Sequence, residues 1–351
     1  MSNKIVSINH NYIVPNITND ISITTFGDLH YCSSFDDKKL DLLTEYLFNN
    51  DSKYLCIAGD IIDSTNFLHN DKRKKERLIS WLKLLSDKHK LFITLGSHDF
   101  TTKSFKNGNE DWDTDLWKTL NNSNNIYVSH FIPYYEDDNL IVYQLELGYD
   151  YYFSNDEENK DYLLKFLDKS LNYLDNLNDN KVKVLVCHSP IYMSDKDVID
   201  RVKEYNFIFS GHMHNGMVPY PFDKIKGNIG IIAPNKSLFP DNARGTKDIN
   251  VGDKDIHLII NGGITKLSEC TNVLSKFNGI YKMNIDEIEI NSRVKKLVKW
   301  HKTFNFFCYI MIIYFKGLRL HRHKIILINT SYFINWPKSN YCFTKNIIFF
   351  N

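Results

Sequence analysis

The sequence predicts an α/β fold, and three observations carry that reading. Five apolar runs, ISITTF, KYLCIA, KLFITL, VKVLV and FIFS, are rich in Ile, Val, Leu and Phe and too short for helices, so they read as buried strands. Stretches with helical spacing separate them, and strands alternating with helices build layered α/β architecture. Each run leads directly into a short segment of Gly, Asp and His. Those side chains are thereby placed at strand ends, the edge where ligands bind in α/β sheets.

Along the chain, residues 36–49 carry Leu40, Leu43 and Leu47 on one helical face. Residues 72–89 do the same with Leu78, Trp81, Leu82 and Leu85. The basic run Asp71-Lys72-Arg73-Lys74-Lys75-Glu76-Arg77 that opens this second helix reads as a solvated helix start rather than a nucleic-acid groove. A helix over 156–177 buries Leu163, Leu164, Leu167, Leu171 and Leu174, with Ser154 and Glu157 as its capping box, and a shorter helix spans 195–205. Strands at 126–130, 140–147, 229–233 and 257–260 carry no Asp/His motif and fill out two facing sheets.

The five strand-end segments are Gly27-Asp28-Leu29-His30, Gly59-Asp60-Ile61-Ile62-Asp63, Gly96-Ser97-His98-Asp99, Cys187-His188-Ser189-Pro190 and Gly211-His212-Met213-His214. Mixed carboxylate oxygens and imidazole nitrogens suit Mn, Fe, Zn or Co, whereas thiolates would select zinc or iron–sulfur and an all-oxygen set Mg or Ca. The one-residue gap in Asp28/His30 and in His212/His214 puts each pair on one side of an extended backbone, where it can bite at one centre. Glycine at 27, 59, 96 and 211 allows a sharp turn and a close backbone approach. Asp63 either orients a ligand or caps the turn at Ser64-Thr65. Cys187 points to the face opposite His188 and reads as a buried apolar thiol.

In order and spacing these segments resemble the calcineurin-like metallophosphoesterases, whose pattern runs GDxH, GDxxD, GNHD, a His motif and GHxH. The resemblance covers residues 18–292, and a looser match, through Pro219-Tyr220-Pro221, Leu238-Phe239-Pro240, Arg244-Gly245, Asn261-Gly262-Gly263 and a closing strand from Ile285 to Ile290, points to a bacterial subgroup. It implies a four-layer α/β/β/α sandwich of two mixed sheets. It also implies two divalent metal ions, with Mn preferred over Fe or Zn. Asp28, His30 and His214 would hold one ion, His188 and His212 the other, and Asp60 would bridge. His98 would face the substrate, with Asp99 fixing its tautomer by a hydrogen bond. The implied activity is hydrolysis of a phosphodiester, phosphomonoester or pyrophosphate bond by two-metal hydroxide attack, with no protein nucleophile. Ser97 stands where the pattern has a metal-binding Asn. A hydroxyl is a shorter and poorer ligand, so the second ion is expected to bind more weakly. A nuclease of the same superfamily, or a phosphate-binding scaffold with weakened turnover, are the rival readings.

Composition bounds the rest. With 351 residues and 43% hydrophobic content the chain supports one large core and an appendage, and a net charge of +1 gives no global field to recruit nucleic acid. The six cysteines, at 32, 56, 187, 270, 308 and 342, have no regular spacing, and the N-terminus lacks a signal architecture, so a reducing, cytoplasmic setting is the expectation. The catalytic domain is assigned to residues 1–292. Residues 293–351 hold eleven Lys and Arg and no Asp or Glu. This basic aromatic-rich tail reads either as an appended segment without an evolved role or, through the apolar stretch Phe304 to Phe315, as an anchor for a membrane surface. The substrate class is a small phosphorylated or lipid-linked molecule, walled by residues 100–125 (Phe100, Phe105, Trp112, Trp117) and 215–250.

Overall fold

Strands that are apolar on both faces must be covered on both faces, and two stacked sheets between helices achieve this. The computed structural model describes residues 4–64, 70–99, 114–148, 151–152, 156–173, 180–218, 227–234, 238–252, 254–264 and 282–292. The tail 293–351, the segment 100–113 with Phe100, Phe105 and Trp112, Pro219-Tyr220-Pro221, Thr65, Leu174 and the Ser154 cap lie outside the described residues.

One sheet runs β1 (Lys4–Ile13), β12 (Lys282–Asn291), β2 (Ile21–Phe26), β3 (Tyr54–Ala58), β4 (Lys90–Thr94), β5 (Ile126–Val128). The other runs β10 (Gly245–Val251), β11 (Lys254–Ile260), β9 (Phe207–Ser210), β8 (Val182–Cys187), β7 (Leu140–Leu145), β6 (Tyr134–Glu136). Both are mixed: β2 to β5 are parallel while β12 opposes β2, and β7, β8, β9 and β11 are parallel while β6 and β10 are antiparallel edges. The helices are α1 (Lys38–Asn49), α2 (Lys72–Ser86), α3 (Thr114–Asn121), α4 (Asp156–Leu171) and α5 (Lys196–Val202).

Side-chain alternation along each strand separates three apolar cores. Leu55 and Ile57 of β3 pack with Leu40, Leu47, Leu78 and Trp81 of α1 and α2. Tyr54, Cys56 and Ala58 of the same strand meet Val142, Val184, Val186, Phe207 and Phe209 between the sheets. Leu185 and Cys187 of β8 pack with Leu163, Leu167, Val198 and Val202 of α4 and α5. The order is therefore helix, sheet, sheet, helix, the four-layer arrangement expected. Cys187 faces its helices, away from His188, and its Sγ donates to the Ser189 carbonyl (3.2 Å). No described helix is long and apolar enough to cross a membrane.

Four sequence expectations are corrected. No strand forms at 229–233: the amides of Ile231 and Ile232 go to the Gly216 carbonyl (2.7 and 3.4 Å), which leaves a single bridge to Leu238. Trp117, assigned to a substrate wall, is fully buried in the core under α3. The basic start of α2 is not solvated throughout, because Lys74 is buried, with Nζ donating to the Phe35 carbonyl (2.6 Å) and to Asp37 (2.7 Å). Finally, β1, β6, β10 and α3 form where no element was expected. β1 and β10 are edge strands with much polar, half-exposed sequence, so they lack the apolar-run signature.

Far from the strand-end motifs, Asp137 ties the two sheets together. It accepts from the hydroxyls of Tyr54 (2.8 Å) and Tyr135 (3.1 Å), from the amides of Asn139 (3.0 Å) and Leu140 (3.1 Å), and from Lys90 (3.3 Å). Burial alone would raise its pKa, but these donors hold the carboxyl well below the usual carboxylate range. Such a group stabilises the fold above its unfolded pKa, about 3.9, and that stability is lost as pH falls toward the lower folded value. Asp137→Ala is expected to cost about 2 kcal/mol at neutral pH, the scale for hydrogen bonds to a charged group. In urea denaturation the gap from the wild type should stay constant above about pH 5 and narrow below pH 4.

Candidate metal centre

Five parallel strands deliver the motif residues to one edge. Asp28 and His30 follow β2, Asp60 follows β3, Ser97 to Asp99 follow β4, His188 follows β8, and His212 and His214 follow β9. The loops stay in register past the strand ends: the amides of Asp28, His30 and Tyr31 donate to the carbonyls of Gly59, Asp60 and Ile61 (3.0, 2.9 and 2.8 Å), and Gly211 donates to His188 (2.8 Å).

The backbone there is not extended as the spacing argument assumed. Asp28, His30, Asp60, His212 and His214 all have left-handed φ, between 45° and 68°. A non-glycine residue in that region costs about 1 kcal/mol or more, and clusters of such residues mark functional sites. The consequence differs between the two pairs. Asp28 and His30 do converge on one centre, whereas His212 and His214 fall into different groups, because a 3₁₀ turn from His214 to Met217 swings His214 away. The glycines act mainly through close approach. A Cβ on Gly96 would lie 2.4 Å from Asp60 Oδ1 and 2.7 Å from His188 Cγ, and one on Gly59, whose φ is +81°, would lie 2.4 Å from His188 Nδ1. Gly96→Ala is expected to displace Asp60, to destabilise the fold by about 1–3 kcal/mol, and to weaken metal binding at least about tenfold. Thermal unfolding and a Mn²⁺ titration would read the two effects.

The donor atoms form three groups, each within 4.8 Å: Asp28, His30 and His214; Asp60, His188 and His212; and His30, Asp60 and His98. Within the first, His30 Nε2 lies 3.3 Å from His214 Nε2 and 4.0 Å from Asp28 Oδ1. Within the second, His188 Nε2 lies 3.0 Å from Asp60 Oδ2 and 3.1 Å from His212 Nδ1. Burial and His188 push His212 well below the usual imidazole range, and burial lowers His30, so both present neutral nitrogens. Burial disfavours charge on Asp60 too, yet His188, His98 and His30 hold it ionised, and Asp60 in turn raises His188 to about 9. His188 Nδ1 donates to the Ala58 carbonyl (2.7 Å), which leaves Nε2 aimed at the centre, and His30 Nδ1 is 3.5 Å from Asp63 Oδ1. Outer partners of this kind fix the tautomer of metal-binding histidines.

His98 sits beside these groups, its ring edge-on to His30 at 4.6 Å. The orienting hydrogen bond expected from Asp99 comes instead from Asp63: His98 Nδ1 donates to the Asp63 carbonyl (2.7 Å). Asp99 turns inward, accepting from the amides of Ile62 (3.1 Å) and Gly96 (2.8 Å), and burial together with the Asp60 charge raises it to about 7. An inward carboxylate can brace the turn but cannot reach round to the ring of its own neighbour. Asp63 orients His98 through its backbone carbonyl, while its carboxylate lies 3.5 Å from His30 Nδ1; the turn at Thr65 that it was expected to cap lies outside the described residues. Ser97 is buried, with Oγ 3.3 and 3.4 Å from the Asp60 carboxylate oxygens. The sequence reading missed Tyr152, whose ring lies 5.9 Å from that of His188 and 5.6 Å from that of His212. It lies in none of the motifs and carries no signal of its own.

Two carboxylates and four imidazoles, converging from four strand ends with no lysine or arginine among them, are a donor set that fits divalent transition-metal ions. Among solved structures the chain is similar to a dimetal phosphatase from Danio rerio, with 12% identity, 69% of this chain and 87% of that chain covered, and a TM-score of 0.40. It is also similar to a "Putative 5'-Nucleotidase" from Staphylococcus aureus in complex with alpha-ketoglutarate, with 12% identity, 69% and 54% covered, and a TM-score of 0.34. No curated protein matches the chain. The family model described as calcineurin-like phosphoesterase matches residues 21–216. That span is more than half of the 351 residues and runs from the start of β2 through His214, so the chain belongs to the calcineurin-like phosphoesterase family.

Proposed function

We propose that the protein is a metal-dependent hydrolase of phosphoric esters that works with two divalent cations, Mn²⁺ by preference. The observation that carries this is the place of Asp60, a buried carboxylate that groups with His188 and His212 on one side and with His30, a member of the other donor group, on the other. Asp28, His30 and His214 would hold one ion and His188 and His212 the other, with Asp60 between them. When bound, the ions supply Lewis acidity toward phosphoryl oxygens and a water acidic enough to act as nucleophile.

The chain's own residues do the rest. His98 donates through Nδ1 to the Asp63 carbonyl, which leaves Nε2 as the ring's working atom. Burial opposes its charge, but Asp60 and the Asp63 carbonyl outweigh burial and raise its pKa above the ordinary histidine value. The raised pKa favours the protonated ring, whose Nε2 proton would be directed to a phosphoryl oxygen or given to the leaving oxygen. Asp99 has a different task, holding the Gly96 turn against Ile62.

The substrate we favour is a small phosphodiester or a lipid-linked pyrophosphate, since net charge near zero offers nucleic acid little attraction. A cytoplasmic setting is supported by Cys32, Cys56 and Cys187, which are free thiols. The test is hydrolysis of bis-p-nitrophenyl phosphate and p-nitrophenyl phosphate with added Mn²⁺. Turnover that is abolished by chelation and restored by Mn²⁺ is expected. Two bound ions with no turnover on a wider panel of phosphoesters would make the protein a phosphate-binding scaffold instead.

A further inference from the structure

The second donor group, Asp60, His188 and His212, is one ligand poorer than the family pattern, because Ser97 replaces the usual Asn. Its hydroxyl is held 3.3–3.4 Å from both Asp60 oxygens, on the carboxylate rather than reaching past it. Tyr152, beyond the end of β7, packs its ring against the two histidines of this same group. Its hydroxyl is fully buried and has no hydrogen-bond partner among the described residues. The nearby Cys187 thiol already donates to the Ser189 carbonyl. The hydroxyl lies within electrostatic reach of Cys187 first, and then of Asp60 and Asp99, the two carboxylates that bind the Gly96-Asp99 turn.

A buried phenol without a partner costs free energy, so such a group at the boundary between the helix-side core and a cluster of metal-type donors points to a ligand that satisfies it. We propose that Tyr152 supplies the neutral oxygen contact at the second cation position that the family's asparagine makes and that Ser97 is too short to make alone. This rests on the two-metal reading above. The cation gains an oxygen donor, the phenol gains its missing partner, and the ring shields His188 and His212 from water.

The test is a Mn²⁺ titration of the metal-free full chain, followed by calorimetry and by the EPR signal of a coupled Mn pair, in the wild type, Tyr152→Phe, Ser97→Asn and the double variant. Tyr152→Phe is expected to weaken the second Mn²⁺ about 10- to 100-fold, the range for losing a supporting contact at a metal. Affinity for the first Mn²⁺ should not change, and the melting temperature of the metal-free protein should hold or rise, since the variant loses a buried hydroxyl that has no partner among the described residues. In the Ser97→Asn background the effect of Tyr152→Phe should shrink to about threefold or less. Equal second-site affinity in wild type and Tyr152→Phe overturns the proposal, and so does an undiminished effect in the Ser97→Asn background. A wild type that binds a single Mn²⁺ overturns the two-metal reading itself, and the Tyr152 role falls with it.

Discussion

Asp60→Asn is expected to remove metal binding and hydrolysis together. The carboxylate is buried, pairs with His188 at 3.0 Å, approaches His30 at 3.8 Å and receives the amide of His98 at 2.8 Å. An amide of the same shape can still accept from that backbone N–H, so the turn keeps its conformation. It cannot supply the negative charge that three imidazoles surround and that two cations would share. Lewis-acid stabilisation is worth several kcal/mol, so turnover should fall by more than about 10³-fold. Elemental analysis after dialysis against Mn²⁺ should find less than one ion per chain, with little change in circular dichroism. Two ions retained at wild-type affinity would show that Asp60 does not bridge.

His98→Ala is the complementary case, because it should spare the metals and lower turnover by about 10² to 10⁴-fold. The ring is held through Nδ1 by the Asp63 carbonyl, and against the opposing effect of burial Asp60 raises its pKa, so the contribution expected of it is a proton at Nε2. Two signatures separate this from a general loss of structure. The penalty should be smaller for p-nitrophenyl esters, whose leaving group needs no proton, than for alkyl esters, which do. The sign of the pH effect also follows: a group that acts while protonated gives a rate that declines as pH rises through its pKa. The wild type should show that alkaline limb and His98→Ala should lose it.

Most of the centre was legible in the sequence because the strands that deliver it are buried on both faces. ISITTF is buried except at Ser22 and the strand within KYLCIA is buried throughout, so they stand out as strands, and the Asp or His after each must fall at the sheet edge. What was not legible lies where local pattern and tertiary hydrogen bonding part. Residues 229–233 look like a strand, but their amides answer to Gly216. His212 and His214 look like one chelating pair until the 3₁₀ turn separates them. Asp99 and Asp63 are both acidic and both near His98 in motif order, and only the direction of Asp99 toward the Gly96 and Ile62 amides decides which one orients the ring. β1 pairs with β12 across almost the whole length of the chain, a contact no periodicity reveals.

The left-handed backbone at five of the proposed ligand positions bears on how this protein would respond to redesign. A procedure that chooses residues only for compatibility with the backbone would place glycine or asparagine at Asp28, His30, Asp60, His212 and His214, where those residues relieve strain. Each replacement would make the scaffold easier to fold, and together they would replace every proposed His and Asp ligand except His188. Optimising this chain for thermal robustness without naming the centre as fixed would therefore select against the centre first, since its ligands are where the fold has most to gain from losing them.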